Sequence, residues 1–141
     1  MSTDDLYNLQ RFTDAQASTY PQVRAELATG HKRSHWMWFI FPQIRGLGSS
    51  PMAQRFAISS REEATAYLAH PLLGARLVEC TALVNAQEGR SISAIFPYPD
   101  DLKFHSSITL FWSVAPESAI FTAALQRFFA GGSDAATLAL L

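Results

Sequence analysis

The sequence predicts an all-α fold, a compact single-domain helical bundle of about seven to nine helices with irregular topology, spanning residues 1–141. Three observations carry this. Apolar residues recur at helical spacing in stretch after stretch. No alternating strand pattern of any length appears, and no hairpin turn lies between apolar runs. Proline, glycine and Ser/Asp cap residues divide the periodic stretches where helices start and stop.

Leu6, Leu9, Phe12 and Gln16 fall on one helical face, with Asp4 and Asp5 complementing the dipole at its start. A second helix opens near Pro21, buries Val23 and Leu27 and stops at Gly30. Residues 36–41, Trp-Met-Trp-Phe-Ile-Phe, are too short and too uniformly apolar for periodicity to separate helix from strand. Their residue types favour strand. Their helical surroundings favour a short buried helix, which is the reading adopted. Pro51 restarts a short helix through Ile58. Ser60 with Glu63 forms a capping box for the next, which carries Ala64, Tyr67 and Leu68.

His70-Pro71 breaks that helix. The following one carries Leu73, Leu77, Leu83 and Val84, with Gly74 marking a close helix contact, and ends at Gly89. Residues 91–96 make a turn or two, and a Pro97-Tyr98-Pro99-Asp100-Asp101 loop follows. Asp100 is placed to cap a helix with Phe104, Ile108, Phe111, Trp112 and Ala115, closed by Pro116. A further helix carries Ile120, Phe121, Ala124, Leu125, Phe128 and Phe129 and ends at Gly131-Gly132. Residues 134–141 add a last short helix.

A chain of 141 residues with 48% hydrophobic and 16% charged residues buries a core and is not disordered. Its net charge of −1 provides no general attraction to nucleic acid or acidic membranes, and no basic recognition helix appears, so nucleic-acid binding is disfavoured. The charge is uneven, however. Arg24, Lys32, Arg33, Arg45, Arg55 and Arg61 face a single acid, Glu26, over residues 24–61. Such a region suits a small anion, or is simply a solvated surface. Cys80 is the only cysteine and lies in an apolar helical pattern, so it reads as a small buried hydrophobe in a reducing compartment. The amino terminus has no signal-peptide profile, and the apolar runs are far shorter than the ~20 residues that span a bilayer. The expected setting is cytoplasmic, with no membrane partner.

Residues 32–51, KRSHWMWFIFPQIRGLGSSP, hold the densest aromatic block next to basic residues and a Gly-Ser turn. Arg45, Gly46, Gly48, Ser49 and Ser50, with Gln43 just before them, are the first candidate site. A glycine-serine loop entering a helix exposes N–H groups, and two hydroxyls with an arginine fork complete a phosphate or carboxylate cradle. Walker and Rossmann spacings are absent. Ser50 as N-cap and Pro51 in the first turn account for the same residues without a ligand.

His35 beside Trp36 and Trp38 is the second candidate: His35 as acid, base or donor, and an indole face as a stacking surface. A His at a core boundary that only hydrogen-bonds locally is the plainer alternative. Lys103 and Ser107, on the helix after Asp100, are the third. They add charge and a donor if that face meets the Gly-Ser turn, whereas Ser106 and Ser107 otherwise serve as small residues between helices. His31, His70 and His105 are scattered, no metal-ligand spacing is present, and no metal or other cofactor is expected.

The strings LQRFTDAQ (9–16), KRSHWMWFIFPQIRGLGSSPMAQRFAI (32–58), YLAHPLLGARL (67–77) and DDLKFHSSITLF (100–111) resemble a bacterial family, the domain of unknown function numbered eighteen-ten, over nearly the whole chain. Its members are often labelled "calpastatin". The resemblance implies a mainly helical single domain and no established activity. Protease-inhibitory calpastatins are extended chains that fold on their target, whereas this composition buries a core, so the label does not fit. By analogy, the pairing of aromatic and basic residues is also similar to helical domains thought to handle NAD and ADP-ribose, although no catalytic residues align. The functional expectation is a pocket for a phosphate-bearing, nucleotide-like small molecule of the ADP-ribose or NAD type. Arg45, the 46–50 backbone and Lys103 would hold phosphate, Trp36 or Trp38 would stack, and His35 would exchange protons. The alternative is a protein-interaction module that uses its basic surface.

Overall fold

The computed structural model describes residues 5–141. The acidic amino terminus, with the helix-start role expected of Asp4, lies outside the described residues. Among these, ten helices follow one another: α1 (Gln10–Gln16), α2 (Tyr20–Thr29), α3 (Met37–Ile40), α4 (Pro51–Arg55), α5 (Arg61–Ala69), α6 (Leu73–Asn85), α7 (Ile92–Ile95), α8 (Asp100–Val114), α9 (Ala119–Phe129) and α10 (Ala135–Ala139). The class is the expected one. The count exceeds seven to nine because α3, α4, α7 and α10 are single turns of four or five residues, each separated from its neighbours by loop.

Local chemistry explains most boundaries. α1 begins later than the apolar spacing suggests, at Gln10, because the Asp5 carboxylate accepts the N–H groups of Leu9 at 2.6 Å and Gln10 at 2.9 Å and holds the preceding turn open. α2 ends at Gly30, whose φ of 77° suits glycine, with its N–H turned back to the carbonyls of Glu26 and Leu27. Ser60 Oγ accepts the Glu63 N–H at 3.1 Å to start α5. His70 Nδ1 accepts the N–H groups of Leu72 and Leu73 at 3.1 and 3.2 Å, so the residue that ends α5 also caps α6. α9 stops at Ala130, left-handed at φ 53°, one residue ahead of the glycine pair.

α8 is the central element. It packs against α5, α7, α9 and α10, and Phe104, Ile108, Leu110 and Phe111 are buried along it. The sequence offered two readings of the face with Lys103, Ser106 and Ser107: a site wall, or small residues between helices. The second describes Ser106 and Ser107, which are buried under the helices packed on α8, while Lys103 reaches the surface in part. α6 packs on α2, α5 and α9. Gly74 allows the α5–α6 approach, since a Cβ there would lie 2.1 Å from the Leu68 carbonyl oxygen.

The aromatic block of residues 36–41 feeds the core next to α8. Phe41 meets Phe104 edge-on at 5.1 Å between centroids, Phe96 stacks on Phe104 at 5.0 Å, and Trp36 sits edge-on to Phe96 at 6.4 Å. Each ring buried this way contributes on the order of 2–3 kcal/mol. One parallel bridge, Ile44 with Ile58, joins the segment before α4 to the segment after it: Arg45 N–H donates to Ile58 O and Ile58 N–H to Gln43 O, both at 2.8 Å.

Candidate functional site

The segment between α2 and α3 is held in place by one carboxylate. Glu26, buried on α2, accepts the N–H groups of Arg33 and Ser34, the Ser34 hydroxyl, the Gln22 amide and the Trp36 indole N–H. Burial alone would raise its pKa. The donations from Ser34 and Gln22 and from the Arg33 and Ser34 backbone outweigh that and lower it from the usual 4.5 to about 2. Lys32 then crosses to α8, its ammonium 2.7 Å from Asp100 and 5.0 Å from the Trp36 ring centroid, while its N–H donates to Ile95 O at 2.8 Å. Asp100 therefore does not cap α8 as expected. It lies in the first turn and is shared between Lys32 and Lys103, the latter 3.8 Å away.

These ties build a hollow of about 350 Å³ between residues 32–38 and the 97–103 segment. Trp38 and Tyr98 supply aromatic surface, and Lys32, Arg33, His35, Asp100 and Lys103 supply the polar groups. His35 and Arg33 are exposed, Trp38 is half-buried, and Tyr98 is 77% exposed. Lys103 Nζ lies 5.0 Å from the Trp38 ring centroid, a cation–π contact. Lys32, Arg33 and Lys103 face the one carboxylate of Asp100, which leaves a surplus of positive charge.

A second hollow, of about 540 Å³, adjoins the first and shares Pro99 and Lys103 with it. Gln43, Gly48, Ser49 and Ser50 line it together with His105, Ser106 and Asp134. Asp134 begins α10. Its Oδ2 accepts the Ser106 hydroxyl at 3.0 Å and the N–H and hydroxyl of Thr137, while its own N–H donates to Thr109 Oγ1 at 2.9 Å. Burial raises its pKa, but those Thr137 and Ser106 donations, aided by nearby His105, bring it below the usual value. His105 stacks on Phe129 at 3.8 Å, and its Nε2 is 2.8 Å from Gly132 O.

The residues singled out from sequence are therefore divided. His35, Trp38 and Lys103 share the first hollow; Gln43, Gly48, Ser49, Ser50 and Lys103 share the second. Trp36 faces neither. Its ring is fully buried with its N–H on Glu26, so it has no free face for a ligand. Arg45 is exposed but lines a third, shallow depression of about 410 Å³ with Arg11, Arg55, Ser59 and Glu63. The Ile44–Ile58 bridge turns it that way, apart from Lys103. Gly46, at φ 106°, packs under Leu140 and lines none of the three. Ser107 is fully buried, and its hydroxyl has no hydrogen-bond partner among the described residues.

The Gly-Ser turn itself is accounted for by local structure, since Ser50 Oγ accepts the Ala53 N–H at 3.1 Å and α4 is only five residues long. Among the described residues no group of three or more His, Cys, Asp or Glu side chains is placed to hold a metal ion, and no helix is long and apolar enough to cross a membrane.

Three contributors escaped the sequence reading. Tyr98 had a usable signal, a large aromatic held between two prolines in a loop. Asp134, which the sequence marked only as the start of the last short helix, caps α10 and also lines a hollow. Glu26, a lone acid among cations, carries the loop that those cations stand on.

A search of curated proteins finds no match. Among solved structures the chain is similar to the conserved hypothetical protein Rv1873 from Mycobacterium tuberculosis, whose crystal structure is known at 1.38 Å. The two are 57% identical and superpose with a TM-score of 0.94, over 95% of this chain and 96% of that one. The family model described as protein of unknown function (DUF1810) matches residues 6–141. With nearly its whole length matched and its helical architecture shared with that structure, the chain belongs to the DUF1810 family.

Proposed function

We propose that the first hollow binds a phosphate-bearing, nucleotide-like small molecule, with ADP-ribose and NAD the compounds to test first. The carrying observation is the convergence of two aromatic rings, Trp38 and Tyr98, with a surplus of positive charge, Lys32, Arg33 and Lys103 against the single carboxylate of Asp100. A planar base stacks on an aromatic face, and an arginine fork and an ammonium meet phosphate oxygens. The hollow lies at the small end of the roughly 300–1,000 Å³ range of small-molecule sites. His35, exposed in the same hollow, is the group positioned to exchange a proton with a bound ligand.

Titration with ADP-ribose and NAD, followed by tryptophan fluorescence and melting temperature, tests the reading. Quenching that disappears in Trp38→Phe, with affinity reduced in Lys103→Ala, supports it. Silence at millimolar ligand removes it. A second reading, a module that meets an acidic partner, rests on Arg45 and Arg55 in the third depression, neither with a carboxylate within 4.0 Å among the described residues. It predicts that an acidic peptide, and no nucleotide, shifts the melting temperature.

A further inference from the structure

We propose that the ligand has two parts, with a diol-bearing, ribose-like group seated in the second hollow and joined through phosphate at Lys103 to the ring stacked in the first. This rests on the preceding reading of the first hollow and specifies the ligand further. Lys103 and Pro99 line both hollows, so the two lie side by side with Lys103 between them. Lys103 stands at the junction, with its ammonium beside Trp38 on one side and the Ser49 and Asp134 hollow on the other.

The two ends differ in charge. The first carries Lys32, Arg33 and Lys103 against Asp100, a surplus of cations. In the second, apart from the shared Lys103 and the ring of His105, the one charged group is Asp134, an acid. A phosphate is therefore drawn to the junction and repelled from the far end. A neutral polyol is the complementary occupant there, because a carboxylate accepts hydrogen bonds from hydroxyls and donates none. Asp134 has capacity for this. Its three bonds all go to Oδ2, and Oδ1 takes none among the described residues. The same bonds fix the side chain and keep it ionised. Ser49, exposed in the same hollow, and the Gln43 amide add donors and acceptors.

The test compares ADP-ribose with ADP by calorimetry on the intact protein. ADP carries more negative charge, so charge alone favours it at Lys103. A second group in the hollow reverses that order, and ADP-ribose binds about tenfold or more tighter than ADP, the worth of one or two good hydrogen bonds. In Asp134→Asn, which still caps α10 because Asn serves as well as Asp, that affinity ratio falls towards one. Ser49→Trp, which fills the hollow from an exposed position, lowers the ratio in the same way. Equal affinities in the native protein overturn the inference and leave the single-hollow reading standing, as does a high ratio that neither variant lowers. Binding of neither compound overturns both.

Discussion

Glu26 Oε1 accepts the indole N–H of Trp36 at 2.9 Å, across ten residues of sequence and beneath the surface. That bond joins α2 to the aromatic block, and the other four groups bonded to the same carboxylate shape the loop between them. Glu26→Gln keeps the volume but places an amide where only acceptors fit. It should lower stability by about 2–4 kcal/mol, since hydrogen bonds to a charged acceptor are worth about 1.5–3 kcal/mol each and an unmet buried donor costs more. Urea unfolding of the variant measures this.

The same group fixes a pH dependence. Its folded-state pKa is depressed from 4.5 to about 2, so the unfolded chain binds its proton first as acid is added. Its contribution is therefore complete above about pH 4.5 and is lost as the pH falls towards 2. Denaturation midpoints measured between pH 6 and pH 2 should decline across that window, and should decline less in Glu26→Gln.

Arg11 joins the start of the chain to the segment before α5. Its guanidinium is 2.8 Å from Glu63 and also donates to the carbonyls of Tyr7, Asn8, Arg55 and Ala57. Arg11→Ala leaves Glu63, a buried carboxylate, short of its cation and should cost about 3–5 kcal/mol. Arg11→Lys should recover only part of that, because an ammonium does not reproduce the planar fork. Chemical denaturation of both variants checks the order.

Gly74→Ala should be among the most damaging single-carbon additions in the protein. The new methyl would lie 2.1 Å from a backbone oxygen, and α5 cannot yield without moving Tyr67, which is fully buried. A loss of about 3 kcal/mol or more, read as a lower melting temperature, is expected. Ser107→Ala should go the other way. It removes a buried hydroxyl that has no partner among the described residues and should be neutral or stabilising by up to about 1–2 kcal/mol.

Arg45→Ala separates the sites. Because Arg45 lines the depression beside Arg11 and Arg55, the affinity of the Trp38 hollow for ADP-ribose should stay within about twofold of the native value, whereas Lys103→Ala should weaken it about tenfold or more. Fluorescence titration distinguishes the two.

What the sequence revealed was what depends on neighbours in the chain. Ser60 with Glu63, Pro21 with Gly30 and the apolar spacing of α9 are local patterns, and the helices stand close to where those patterns put them. Gly74 was readable for the same reason, as a glycine within a helical stripe. What was hidden depends on distant partners. Nothing near Trp36 signals that Glu26 would claim its N–H while Trp38, two residues on, kept an accessible face. Nothing near Arg45 signals that a bridge to Ile58 would turn it away from Lys103. Which of the two readings of Ser106 and Ser107 holds was not legible either, because the helices packed on α8, namely α5, α7, α9 and α10, are set by topology.

The Lys32–Asp100 pair has one more consequence. It fastens the two sides of the first hollow to each other from underneath, and the Lys32–Ile95 hydrogen bond repeats the fastening through the backbone. In the proposed binding, a ligand therefore meets two walls that are already tied to each other. Association should be fast and single-phased, departure should be governed by contact strength alone, and little ordering entropy is lost on arrival.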